Sequence, residues 1–146
     1  MWQRVQTLYI GIATLLVVVL YWCDAATMLA AGEQTEHIRY IDKTIYLVWL
    51  VILTVLQVLS LGGYKWRMRQ LRVTIVTGIM CLGFQAWLAV DYFRLPEQVV
   101  MSWTAVFPLV AAILDFIGAR NIMLDEAIVQ SANRLRAPRK NRNKRS

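Results

Sequence analysis

Apolar residues fall in four long runs along the chain, separated by short polar or cation-rich segments. A bilayer core is about 30 Å thick and a helix needs about 20 apolar residues to cross it. The pattern therefore predicts spans over residues 5–23, 44–63, 73–93 and 99–119. It predicts an all-α fold, an integral membrane four-helix bundle. An amphipathic cytoplasmic helix over 121–137 and a disordered basic tail over 138–146 complete it.

Within each run the few polar or small residues recur at helical spacing. In the first, Thr7, Gly11, Thr14 and Val18 share a face where a neighbouring backbone can approach. In the second, Thr54 and Gln57 share a face with Tyr46 and Leu50. Gln57 carries an amide at mid-membrane depth, and an unpaired amide in hydrocarbon costs several kcal/mol. In the third, Thr74, Gly78, Cys81, Gln85, Leu88 and Tyr92 form a seam at coiled-coil steps. Gln85 is the candidate partner of Gln57. In the fourth, Thr104, Pro108, Ala111 and Asp115 lie on one stripe, and Pro108 is expected to kink the helix.

Asp115 is the most informative residue inside the runs. An acid at mid-bilayer costs about 2.5–3.5 kcal/mol on insertion scales and less near an interface. With the fourth span ending at Ala119, Asp115 lies roughly 6 Å below the cytoplasmic edge at about 1.5 Å per residue. The favoured expectation is a salt bridge to a cation at that depth, with Arg4, Arg120 and Lys65 available. The other is a proton or ion site.

Between the runs, residues 24–43 read as a polar loop holding the lone histidine, His37, with a short helix near Gln34–Tyr40 as an option. Residues 64–72 read as a tight loop whose Lys65, Arg67, Arg69 and Arg72 face anionic lipid. Arg94 to Gln98 reads as a turn at Pro96, making the last two spans an antiparallel hairpin, with Asp91 paired locally to Arg94. After the last span, Leu124, Ile128, Ala132 and Leu135 line one apolar face. Asp125 and Glu126 come early and Arg134 and Arg136 late, which suits the helix dipole. Pro138 ends the pattern. Arg139, Lys140, Arg142, Lys144 and Arg145 then follow with no apolar residue among them, the composition of a disordered segment.

Composition agrees with a membrane protein. The 146 residues are 58% hydrophobic and 17% charged, against about 45–50% and about 25% for soluble domains. Cys23 and Cys81 lie in or beside apolar runs, whereas a disulfide framework or metal site needs clustered, reachable thiols. The first run lacks a clean small-residue cleavage site after Tyr21-Trp22-Cys23 and reads as a retained span. The net charge of +7 is unevenly placed. With four spans, thirteen of the 16 Lys and Arg fall on the side of both termini, and only Arg39, Lys43 and Arg94 fall on the other. The positive-inside rule then puts both termini in the cytoplasm.

The opening Met1-Trp2-Gln3-Arg4-Val5-Gln6-Thr7-Leu8-Tyr9 and the later Phe107-Pro108-Leu109, Asp125-Glu126, Val129, Ser131-Ala132 and Arg134-Leu135-Arg136 resemble the two ends of a family. It is a domain-of-unknown-function family of small bacterial four-span membrane proteins. The resemblance implies a bacterial inner-membrane protein and carries no activity with it.

Three functions remain on the sequence. The first is a non-enzymatic accessory or scaffold subunit of a membrane complex. Its partners are the lipid bilayer, another membrane protein and, through the basic tail, ribosomal RNA near a translocon. Such a contact would be salt-sensitive, and no DNA contact is expected. The second is a small transporter or channel component with Asp115, Gln57 and Gln85 as a polar path. The third, an enzyme, lacks a histidine cluster, a nucleophile–base pair or a nucleotide loop, and no cofactor is expected.

Overall fold

The computed structural model describes residues 2–29, 35–63, 66–96 and 98–136. Four α-helices dominate: α1 (Trp2–Val19), α2 (Thr44–Gly62), α3 (Arg67–Arg94) and α4 (Phe107–Arg136). Each helix packs against two others, in the cycle α1–α2–α3–α4–α1. Three of them are long and apolar enough to cross a membrane, and α1 contributes a shorter apolar stretch, Val5–Val19.

The buried stripes follow from sequence periodicity. In α2 they are Tyr46, Leu50, Leu53, Gln57 and Ser60, alternating four- and three-residue steps. In α3, Gln70, Thr74, Thr77, Cys81, Phe84 and Leu88 point inward. In α1 the buried face is Gln6, Ile10, Ala13 and Val17, one residue away from the small-residue face read from the sequence. The reason lies across the interface. The buried side of α4 is built from Ala111, Ala112, Gly118 and Ala119, so α4 supplies the small residues and α1 can supply larger ones. A Cβ on Gly118 would sit 3.2 Å from Ile10 Cγ1, and one on Gly78 would sit 3.2 Å from the Phe116 ring.

The chain is not all-α. Of residues 24–43, expected as a polar loop, 24–29 and 35–39 are strands, so the optional short helix does not form over 35–39; Gln34 lies outside the described residues. β1 (Asp24–Leu29) and β2 (Thr35–Arg39) make an antiparallel pair, and β3 (Val99–Met101) joins the other edge of β1, giving the order β2-β1-β3. The Asp24/Ala26 register shift is a bulge, and the carbonyl of Ala25 within it accepts from Ser102 N at 3.0 Å. Val99 and Val100 read as the start of a span because β-branched residues are apolar in either setting. Here they take the extended form that such side chains favour. The fourth long helix therefore starts at Phe107, after a 3-10 turn over Trp103–Val106. Pro108 falls in its first turn, where its missing N–H has no partner to lose, so it ends no hydrogen-bond ladder and produces no mid-helix kink.

The sheet lies where α1 ends, α2 and α4 begin and α3 ends. Beneath it Tyr40, Tyr46, Trp49 and Phe84 form a cluster with ring centroids 5.9–6.5 Å apart. Thr104 Oγ1 donates to the Asp24 carbonyl at 3.0 Å and takes the Tyr40 hydroxyl at 3.4 Å, tying β1 to the start of α4. Burial holds the Tyr40 phenol above its ordinary range, so it stays a donor.

At the opposite end, the segment read as a cation-rich loop is mostly helix: α3 begins at Arg67. The separate amphipathic helix is no separate element either, because α4 runs unbroken through 30 residues, about 45 Å at 1.5 Å per residue.

The glycine contacts give a paired prediction. Gly118→Leu overfills the α1–α4 contact and should lower stability by about 1–3 kcal/mol. Gly11, whose Cβ would meet nothing within 4 Å, should accept alanine with no loss. Thermal melts of the two variants in detergent check both.

Candidate functional site: a polar core between the helices

The interior holds more polar side chains than an apolar core requires. Gln57, Ser60, Thr74, Thr77 and Asp115 are fully buried. At the centre, the Gln57 side-chain amide is hydrogen-bonded to Asp115 Oδ2 at 2.8 Å, and the Thr14 hydroxyl lies 3.2 Å from the other end of that amide. This set joins α1, α2 and α4. Because α2 and α4 are opposite in the helix cycle, the Gln57–Asp115 bond crosses its middle. On the α3 side the Cys81 thiol is also fully buried.

The expected salt bridge at Asp115 is absent among the described residues. Arg120 is exposed. It lies five residues after Asp115, and at about 100° per residue that turns it to the far side of the helix. Lys65 and the side chain of Arg4 lie outside the described residues. With α4 starting at Phe107, Asp115 lies eight residues in, about 12 Å from the sheet-side end. Asp115 Oδ1 is buried without a hydrogen-bond partner.

Gln85 does not partner Gln57. Its Oε1 is also buried without a partner, and the two amides stay apart because Gln57 is already held by α1 and α4. The three residues read as one polar path are thus a pair, Gln57 and Asp115, and a separate Gln85. At the far end of the third-span seam, Tyr92 is exposed.

Three further polar links went unread in the sequence. The expected local ion pair of Asp91 with Arg94 does not form among the described residues; Asp91 is instead held by α2. It accepts a short hydrogen bond from the Tyr46 hydroxyl, and Lys43 Nζ is 3.3 Å from its Oδ2. The signal was available: Lys43 and Tyr46 are three residues apart at the start of α2, facing the last turn of an antiparallel α3. Toward the other end, Gln6 Nε2 donates to Asp125 Oδ2 at 2.5 Å, joining the start of α1 to α4. Ser60 and Thr74 are linked at 2.5 Å between α2 and α3.

The cations named from the sequence are dispersed. Arg69, Arg72 and Arg134 are exposed, and the Arg69 guanidinium lies 5.8 Å from the Trp66 ring. The side chains of Arg67 and Arg136 lie outside the described residues, as do Arg139, Lys140, Arg142, Lys144 and Arg145 entirely. His37 is exposed and pairs with Asp24 at 3.1 Å across the sheet. No group of three or more His, Cys, Asp or Glu suited to a metal ion occurs among the described residues.

The arrangement can hold four helices in register and can carry one proton on a carboxyl. Tyr46→Phe leaves Asp91 with one donor fewer, in a group only partly open to water. It should cost about 1–3 kcal/mol, measured by thermal denaturation, and Lys43→Met should cost less because that pair is more exposed.

No curated protein matches the chain. Residues 2–135 match a family described as a domain of unknown function, DUF4293. That match covers all four helices and the sheet, and the chain belongs to this family.

Proposed function

We propose that this is a multi-pass bacterial inner-membrane protein, a four-span helical bundle with both termini in the cytoplasm. In this reading it serves as a non-enzymatic accessory or scaffold subunit of a membrane complex. The observation that carries the proposal is the free end of α4. The body ends near the Gln6–Asp125 bond, yet α4 continues to Arg136. Every residue from Ala127 to Arg134 is exposed, with Ile128 65% open. Ten residues extend this helix about 15 Å. A helix continuous with a span leaves the bilayer along its own axis. Its apolar side, Leu124, Ile128 and Val129, then meets water unless a protein covers it.

The membrane reading has its own support. The outward faces carry Leu8, Leu15, Val55, Val58, Ile79 and Ile113, each about half exposed, in a body whose polar groups are turned inward. That inversion suits hydrocarbon as solvent. Trp22 and Trp103 are 76% and 80% exposed near the sheet, and Trp66 is 66% exposed at the other end, as interfacial belts require. Orientation rests on the cations. Arg67 and Arg69 occupy the first turn of α3, where the helix dipole disfavours positive charge by about 0.3–1 kcal/mol each, and Arg72 follows in the second. Their place there is better explained by a cytoplasmic surface than by helix stability. Contact of the tail with ribosomal RNA or anionic lipid belongs to the same proposal.

Crosslinking in native membranes followed by mass spectrometry should recover a discrete membrane partner with the full chain. A chain ending after Glu126 should lose it while retaining its fold. Recovery of both forms as the same partner-free species counts against the proposal. Cysteine labelling should reach position 37 from outside the cell and position 134 only from the cytoplasm.

A further inference from the structure

The hydroxyls in the helical body follow a rule. Thr54 Oγ1 donates to the Leu50 carbonyl at 2.7 Å, Thr74 Oγ1 to Gln70 O at 2.8 Å, and Thr104 Oγ1 to Asp24 O at 3.0 Å. Each hydroxyl has one hydrogen, so each must accept, not donate, in its second contact. Those second contacts are Tyr21 to Thr54 at 3.1 Å, Ser60 to Thr74 at 2.5 Å, and Tyr40 to Thr104 at 3.4 Å. In all three the neighbour owns a hydrogen to give.

Thr14 has the same geometry. Its hydroxyl donates to Ile10 O at 2.8 Å, and its second contact is the Gln57 amide at 3.2 Å. The hydrogen is already committed, so the amide must be the donor there. The N and O of an amide exchange places on a half-turn of the side chain, and the hydrogen-bond network decides between them. Turned this way, Gln57 presents NH2 to Thr14 and its carbonyl oxygen to Asp115 Oδ2, 2.8 Å away. Two oxygens at that distance need a hydrogen between them, and only the carboxyl can supply it.

We propose that Asp115 is a proton-binding site, occupied in the resting protein, with the neutral acid donating to Gln57 and Gln57 donating to Thr14. The chain of donors then runs Asp115, Gln57, Thr14, Ile10 carbonyl, with one hydrogen in each of its three contacts. The opposite assignment leaves two acceptors competing for the Thr14 hydrogen. It also leaves the partnerless Oδ1 sharing a full negative charge in a fully buried site. In the neutral acid Oδ1 is an ordinary carbonyl-type oxygen, whose lack of a partner costs far less. The groups around Asp115 contain no compensating charge among the described residues. Gln57 faces it from α2, the Cys81 thiol from α3, and Thr14 through Gln57 from α1; on α4 itself Arg120 points outward. Loss of the proton obliges the Gln57 amide to turn over and withdraw its donor from Thr14. Proton occupancy on α4 is thereby read on α1. The proposal stands apart from whatever α4 docks against.

The test is infrared spectroscopy of the protein in lipid, with and without carboxyl-13C aspartate. At about pH 7, where ordinary aspartates are ionised, the wild type should show one protonated-acid carbonyl stretch that shifts with the label. Asp115→Asn should lose that band. Its NH2 can still donate to Gln57, so it should keep the fold, and its melting temperature should depend less on pH than that of the wild type between about pH 5 and about pH 9. If the labelled wild type shows no protonated aspartate at about pH 7, or if the band survives in Asp115→Asn, the proposal is overturned. Should the variant not fold, labelled wild-type spectra decide alone with Asp91→Asn and Asp125→Asn as controls. A band present in both controls supports the site, and a band lost in either removes it.

Discussion

The contact on which the interior depends is the hydrogen bond between Gln57 and Asp115. It crosses the centre of the helix cycle and joins two helices that are not neighbours. Apolar packing alone would let α2 and α4 slide or rotate past one another, because dispersion is indifferent to small shifts along a helix axis. A buried carboxyl and amide are not indifferent, since either one left alone in an apolar interior costs on the order of several kcal/mol. The pair therefore sets the relative height and rotation of α2 and α4. Thr14 then extends that constraint to α1.

The two ends of the body are built differently around that centre. At one end a small sheet closes over the helix termini, held by the aromatic cluster and by Thr104. Tyr40 and Tyr46 each use the ring for packing and the hydroxyl for a hydrogen bond, to Thr104 and Asp91 respectively, which lets an aromatic plug also carry polar links. At the other end nothing comparable closes the structure among the described residues. α4 simply runs on, with every residue from Ala127 to Arg134 exposed. A chain of this size that caps one end and extends the other presents only one of them as a place for a partner, and the accessory-subunit proposal follows from that difference.

Much of this was legible beforehand. The α4 stripe and most of the α2 face came from period alone, because a residue's face on a helix depends only on its position in the chain; on α3 Thr74, Gly78, Cys81 and Leu88 are buried as read, whereas Tyr92 is exposed and the buried Thr77 and Phe84 were not named. Thr104, Pro108, Ala111 and Asp115 were read as one stripe, and all four are buried. Other readings failed for identifiable reasons. Asp24–Arg39 read as a loop because its charges dominate the segment, and its third strand, Val99–Met101, lies some sixty residues further on inside what looked like a span. On α1 the small-residue face was named instead of the buried one. Which helix of a pair supplies the small side chains is a joint property of both surfaces, and one helix does not show it.

Helix count, inward polarity and the uneven placement of cations were determined by the amino-acid sequence itself, since each is a local or additive property of the chain. Only the tertiary structure decided which polar group meets which. Asp115 was expected to find a cation and instead found an amide. Partner choice depends on the height at which each helix enters and on which helices lie opposite, and the short strand and 3-10 turn before Phe107 changed both by moving the start of α4 eight residues along. A shift of that size resets every contact along the helix while leaving its periodicity untouched.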